Sequence, residues 1–388
     1  MWSKGFTADE TKAAFAHAAE LATASDNFSN RFAAAHGQWA VALLRGELRS
    51  AQEMASSSLQ EAEDAGRVIE AGVARRGLAL ISYFLGDFIG ARTHGERALD
   101  ACDLARDQET WARFGDDIGT VTMSCLAVTS WQLGEVERAR ELIDRAARRG
   151  ADLNHAPSMA TTLGWKSILE VIRGDAPAAL VAAEALLALS REHGMAHWRA
   201  MAERTIGWAH GRLHDPSGGA AELTKALATL AGQGARLQRN VSEALLAEIE
   251  VETLGVESAL ARIDGVLTDA DQAENRSDLT FIHRLRGNIL LKRDPPDLSS
   301  AEDAYRIAIA IAKGQGARSY ELLASLSLAK LYQSTARPVD AHAVLAPALE
   351  GFTPTPEMPE IGEAQALLES LARGSEGAIA SKGQATEG

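Results

Sequence analysis

The sequence predicts an all-α protein built as a stack of antiparallel helix pairs, and three observations carry that prediction. A marker of glycine followed by small and apolar residues recurs at about forty-residue steps along most of the chain. Alanine is abundant, aromatics make up only 5%, and the ten prolines fall mostly in apparent turns or near the end. Alanine is the best helix former, and a chain with few interior prolines keeps long helices intact. No series of strand-like segments occurs that could build a central sheet.

The marker defines the pairs in order. Gly46 leads to Ala51, Ala55 and Ser58; Gly86 to Ala91, Gly95 and Ala98; Gly134 to Ala139, Ile143 and Ala146; Gly174 to Ala179, Ala183 and Leu186. Weaker copies run through Ala220, Thr224 and Leu227, through Leu260, Val266 and Leu267, and through Ala301, Tyr305 and Ala308. The last copy has Ala336 in place of the glycine, then Ala341, Leu345 and Ala348. Spacing of four and three puts the markers on one face of a helix B, where small side chains let a preceding helix A pack close. A single pair has too little apolar contact to stand alone, so the copies must stack. Eight pairs are expected over residues 28–350.

The ends differ from the middle. Residues 1–27 read as a leading half-repeat, with Thr11, Phe15 and Ala18 at the marker spacing and no helix A before them. An array beginning halfway through a unit leaves an unpaired apolar face, which suggests a piece of a longer protein or a start assigned too late. Residues 351–372 read as a proline-rich turn and a capping helix, and residues 373–388 as a disordered tail.

Charge and composition narrow the partners. The formal net charge is -14, which disfavours phosphodiester backbones, so no nucleic-acid partner is expected. No apolar run reaches membrane-spanning length and no signal-peptide pattern opens the chain, so the expectation is a cytoplasmic protein with no membrane partner. Cys102 and Cys125 read as small core residues, not a disulfide.

Catalytic motifs are missing. No lysine directly follows a glycine, which removes a Walker A loop, and there is no HExxH, GxSxG, paired CxxC or EF-hand loop. Neither a catalytic residue, a metal nor a cofactor is assigned. Asp116 and Asp117, in RFGDDIG, read as a cap for the helix starting near Gly119 in preference to a metal site. His155, His193, His197 and His283 form no recognisable ligand pair. Trp39, Trp131, Trp165 and Trp208 fall within A helices and read as spacers between stacked pairs, with a ligand groove as the alternative. The candidate partner-binding groove is a basic strip: Arg284, Asn288 and Lys292 at four-residue steps on one A helix, with Lys330 and Gln333 on the next.

A period near forty also fits HEAT repeats, but the internal spacing of Gly, Ala, apolar and Ala resembles the tetratricopeptide unit with longer helices or turns than its usual 34 residues. Residues 114–139, 193–211 and above all 283–332, followed by VLAPALEGFTPTPEMPEIGEAQALLESL, resemble the C-terminal tetratricopeptide region of bacterial class III adenylate/guanylate cyclase–AAA ATPase signalling proteins. The resemblance implies a right-handed superhelical solenoid that binds a protein or peptide, including upstream ATPase or cyclase domains of the same parent. It implies a non-catalytic sensory or scaffold module. Cyclase activity inherited from the parent and the effector-sensing region of a transcription regulator stand as alternatives.

Overall fold

The computed structural model describes residues 13, 14, 16–18, 20, 22, 27–100, 113–115, 117–272 and 274–384, with side chains undescribed at 271, 272 and 374–384. Most of the leading half-repeat, Cys102 and Asp116 lie outside the described residues.

Helices follow one another with short connections: α1 Phe28–Leu44, α2 Leu48–Asp64, α3 Val68–Phe84, α4 Phe88–Asp100, α5 Ile118–Gln132 and α6 Val136–Leu153. They continue as α7 Ala156–Arg173, α8 Ala176–Glu192, α9 Ala196–Leu213, α10 Pro216–Gly232, α11 Arg239–Thr253 and α12 Val256–Gln272. The last are α13 Leu279–Leu290, α14 Leu298–Gln315, α15 Arg318–Ser334, α16 Pro338–Leu349 and α17 Glu360–Gln384. Among the described residues, helices α1 to α16 make eight A–B pairs, and α17 follows them. Among the described residues no strand forms, only an isolated bridge between Thr355 and Met358. The all-α helical-repeat solenoid expected from the sequence is what the chain adopts.

The forty-residue period comes from long helices, not long turns. Helices α1, α2 and α3 each have 17 residues and are joined by three-residue turns. A turn that short needs one residue in the left-handed region, and Gly174 supplies it after α7 at φ 74. Ala336 takes the same role after α15, at φ 56, where the repeat lacks glycine. An aspartate can follow and cap the next helix: Asp87, after Gly86, accepts from the Gly90 amide at 2.8 Å, and Asp175 from the Ala178 amide at 3.0 Å.

The marker faces are the core. Ala51, Ala55, Ala91, Ala98, Ala139, Ile143, Ala146, Ala179, Ala183 and Leu186 are all buried, as are Ala301, Tyr305, Ala308, Ala341, Leu345 and Ala348. Two weak copies are corrected. In α10 the buried face is Gly219, Leu223 and Ala226, one residue before Ala220, Thr224 and Leu227. In α12 it is Ala259, Ile263 and Val266, so Leu267 is not part of the marker. The cause in α10 is close approach to α9. A Cβ on Gly219 would lie 2.3 Å from the Gly211 amide nitrogen and 2.5 Å from the Gly207 carbonyl, so only glycine fits. With Gly219 and Ala259 as markers, the steps from Ala179 are again 40 residues each.

The chain divides into two compact units. The first holds residues 1–131 and 138–278, and the second holds residues 132–137 and 279–388. Within the first, α1 touches α3, α7 touches α9 and α9 touches α11; within the second, α13 touches α15. Helix α5 is buried on every side from Ile118 to Gln132, consistent with a helix that is apolar or small all round. Helix α17 extends to Gln384, past residue 373 where the sequence suggests a disordered tail; no proline interrupts the Ala- and Ser-containing stretch SEGAIASKGQ.

Candidate functional site

Besides the stretch between α4 and α5, two connections in the first unit are longer than a short turn, and both cross to distant helix ends. Residues 233–238 separate α10 from α11, and residues 273–278 separate α12 from the next helix. The final carbonyls of a helix have no partner within it. The Leu44 carbonyl at the end of α1 accepts from the Arg236 amide at 3.3 Å. The Phe84 carbonyl at the end of α3 accepts from the Arg276 amide at 2.8 Å and the Ser277 amide at 3.3 Å. The Arg49 amide donates to the Glu274 carboxylate at 2.8 Å. Asn275 links the two connections, its Nδ2 donating to the Leu237 carbonyl at 2.7 Å. The first helices of the unit are thus tied to its last loops.

The first of these connections borders a cavity of 750 Å³. Its walls come mainly from A helices: His36, Trp39 and Leu43 of α1, Arg76, Leu80 and Phe84 of α3, Val121 of α5, Thr161, Trp165 and Ile168 of α7, and His197, Trp198 and Met201 of α9. Leu227, Ala228 and Ala231 of α10, Arg236, Gln238 and Arg239, and Ser242, Glu243 and Arg262 complete it. The volume lies within the range of small-molecule sites.

The aromatic rings are mutually locked. His36 meets Trp39 edge-on at 4.7 Å and Phe114 at 5.6 Å, and Trp165 packs edge-on against Tyr83 at 5.8 Å. Room for two of the indoles is made by glycines on neighbouring A helices, Gly77 facing Trp39 and Gly164 facing Trp198. Trp39 and Trp165 line the cavity, whereas Trp131 and Trp208 are buried spacers away from it. The sequence alternatives for the tryptophans therefore divide by position.

Electrostatics inside the cavity are set by burial. Arg76 donates from Nη2 to His36 Nε2 at 3.1 Å, which requires neutral His36 with Nε2 as acceptor. Burial, with the Arg76 charge added, lowers His36 to about 3. Burial lowers His197 to about 4, with the Arg204 charge acting in the same direction and a Gln233 hydrogen bond against it. Burial also pulls Arg204 down to about 10 and pushes Asp278 up to about 6. Arg262 is committed to Glu250 at 2.7 Å and to Glu243.

The other sequence candidates have structural partners. Asp117 is buried, caps α5 through the Thr120 amide at 2.7 Å and takes two hydrogen bonds from Arg149 at 2.7 and 2.6 Å. Burial pushes its carboxyl up, but Arg149 and the Thr120 amide outweigh burial and hold it below the usual range. The cap reading of Asp117 thus holds. His155 lies 2.9 Å from the Ser158 hydroxyl, His193 is exposed and His283 is half-buried. Cys125 is buried, which pushes its thiol up to about 12. No group of three or more His, Cys, Asp or Glu among the described residues is arranged to hold a metal ion.

The basic strip in the second unit separates into two groups. Asn288 accepts from the Tyr305 hydroxyl at 2.8 Å, and half-buried Arg284 lies over the Phe281 ring at 5.9 Å and acts on Tyr305 by its charge. Lys292 is exposed. Lys330 instead pairs with Glu363 of α17 at 2.8 Å, and Gln333 reaches Ser370 of the same helix at 3.5 Å. The cavity residues Arg236 and Arg239, which the sequence pattern does not single out, sit in and just after the longer connection between α10 and α11.

No protein-family model matches the chain, and no curated protein is similar to it. Solved structures are similar in fold. A Rap protein complexed with competence and sporulation factor matches 88% of this chain and 95% of its own, at 14% identity and a TM-score of 0.52. A signal transduction ATPase with a tetratricopeptide repeat sensor from Pyrococcus horikoshii matches 94% of this chain at 16% identity and a TM-score of 0.46. The chain spans 55% of the length of that protein. The paired helices, with the likeness to the Rap protein, give an all-α helical-repeat solenoid. No described helix is long and apolar enough to cross a membrane.

Proposed function

We propose that this chain is a non-catalytic binding module whose first unit takes up a small effector or peptide end in its cavity and reports occupancy to a protein partner. The 750 Å³ cavity carries the proposal. It is closed on one side by the longer 233–238 connection, which crosses to Leu44. A ligand touching several helices and the 233–238 loop at once would tighten the whole unit, which is how a repeat array converts binding into a shape signal. Similarity in fold to a Rap protein complexed with a factor is consistent with this use.

The test is a thermal-shift survey of metabolites and short peptides on the wild type and on Ala228→Trp, which fills the cavity from α10. A ligand of the site raises the wild-type midpoint and not that of the variant, by an amount growing with the logarithm of its concentration. Compounds that stabilise both proteins equally, or none that stabilise the wild type, reject the assignment.

The signalling context is part of the same proposal: a cytoplasmic regulatory region of a bacterial cyclase–ATPase parent, with no nucleic-acid or membrane partner. The partner face we assign is the strip of Arg284, Asn288 and Lys292, extended by Lys330 and Gln333. If an ATPase or cyclase domain is encoded upstream, Lys292→Glu should weaken its co-purification with this chain. Undiminished recovery removes the strip from the proposal.

A further inference from the structure

The cavity has the opposite charge to the protein around it. The chain carries a formal net charge of -14. Four arginines line the cavity, Arg76, Arg236, Arg239 and Arg262, against one carboxylate, Glu243. With His36 and His197 held neutral by burial, the lining is therefore +3. Arg262 already holds Glu243. Arg236 and Arg239 are exposed and form no side-chain ion pair among the described residues. Such cations on an acidic protein concentrate anions locally.

Most of the remaining lining is apolar. Trp39, Trp165, Trp198 and Phe84 offer aromatic surface, and Trp39 is only 2% exposed. Its indole N–H is buried without a hydrogen-bond acceptor among the described residues. Buried donors normally have an acceptor, so a ligand oxygen would complete this one. A guanidinium fork matches a carboxylate or sulfonate in two parallel hydrogen bonds.

We infer that the cavity selects an amphipathic organic acid, with an aromatic or apolar body against the tryptophans and its anionic group on Arg236 and Arg239. The inference rests on the cavity being a ligand site, and adds the chemical class. The crossing of residues 233–238 to the Leu44 carbonyl places both arginines at the cavity, so the loop that closes the unit also supplies the charge that reads the ligand.

Two fluorescent probes with the same ring system separate charge from shape. 8-Anilinonaphthalene-1-sulfonate carries the anion; N-phenyl-1-naphthylamine lacks it. Each is titrated into the full chain, into Arg236→Gln/Arg239→Gln and into Ala228→Trp, with circular dichroism confirming the helical fold. The expected result is one sulfonate-probe site on the wild type, lost in Ala228→Trp. Its affinity should fall about tenfold or more in the double arginine variant, while the neutral probe binds both proteins alike. Equal binding of the two probes, or equal weakening of both by the arginine substitutions, overturns the anion selectivity and leaves the ligand site standing. Probe binding that survives Ala228→Trp, or no binding at all, overturns the cavity reading together with it.

Discussion

Gly164 of α7 and Trp198 of α9 fit each other so closely that a Cβ on Gly164 would stand 2.4 Å from Cζ3 of the indole. Gly77 of α3 and Trp39 of α1 repeat the arrangement, at 2.5 Å from Cη2. In both, a glycine on one A helix seats a cavity tryptophan on another. The sites share a function: they set where the aromatic wall stands.

Gly164→Ala should therefore do two things. The added methyl overpacks a filled interior, which costs about 1–3 kcal/mol, set against a helix-propensity gain near 1 kcal/mol for alanine over glycine. It should also push Trp198 toward the cavity and weaken probe binding. Denaturant unfolding followed by tryptophan emission, with probe titration, checks both. A variant with unchanged affinity and unchanged emission maximum would mean that the ring has free space elsewhere.

Glu170 holds two neighbouring arginines from a position 1% exposed on its side chain. Arg140 of α6 donates to it twice, at 2.7 and 3.2 Å, and Arg173 donates from its own helix. The arginines come from successive repeats, so the carboxylate joins one pair to the next. Glu170→Ala removes the carboxylate both guanidinium groups share, while Arg173 keeps Asp175 at 3.8 Å and Arg140 is partly exposed, so the loss should be about 1–3 kcal/mol. Glu170→Gln keeps the acceptor oxygen and should cost clearly less. Equal losses in the two variants would show that packing, not charge, holds this joint.

The solenoid was legible because its determinant is local and repeated. Ala51, Ala91, Ala139 and Ala179 are buried markers that any four-and-three spacing finds. The register of α10 was not, because Gly218, Gly219, Ala220 and Ala221 are four small residues in a row. Only the approach of Gly207 and Gly211 chooses among them. The cavity was illegible for a different reason. Arg236 and Leu44 meet through backbone atoms, which carry no residue signature, across a separation no periodicity relates. The strip from Arg284 to Gln333 was spaced correctly on its helices, yet spacing is silent about α17, whose Glu363 takes Lys330.

Ala336 is an L-residue in the left-handed region, at φ 56, in a turn where the equivalent repeats use glycine. That conformation costs a residue bearing a Cβ about 1–2 kcal/mol. Glycine gives back part of this through its freer unfolded chain. Ala336→Gly should stabilise the α15–α16 pair by a net 0.5–1 kcal/mol, as an order-of-magnitude figure. Slower amide exchange in Tyr320–Tyr332 and Ala341–Leu349 would show it. Faster exchange would mean that the turn is held by contacts the methyl group makes.

His36 ties the stability of the first unit to pH. Burial and the Arg76 charge lower its folded pKa to about 3 from the usual 6.5. Between those values the unfolded chain binds a proton that the folded chain refuses, so the stability it confers is full above pH 6.5 and is lost as pH falls toward 3. The slope is about 1.4 kcal/mol per pH unit for one group. Asp278, raised by burial to about 6, has the opposite sign below pH 6, because there the folded chain holds the extra proton. His197, lowered by burial to about 4, adds to the sign of His36, so total stability mixes these groups and the clean quantity is a difference. The stability of wild type minus that of His36→Gln should be constant above pH 7 and should decrease by about 1.4 kcal/mol per unit between pH 6 and pH 4. A difference that stays flat over that interval would mean that His36 accepts a proton in the folded state, and with it that Arg76 does not hold the ring as an acceptor.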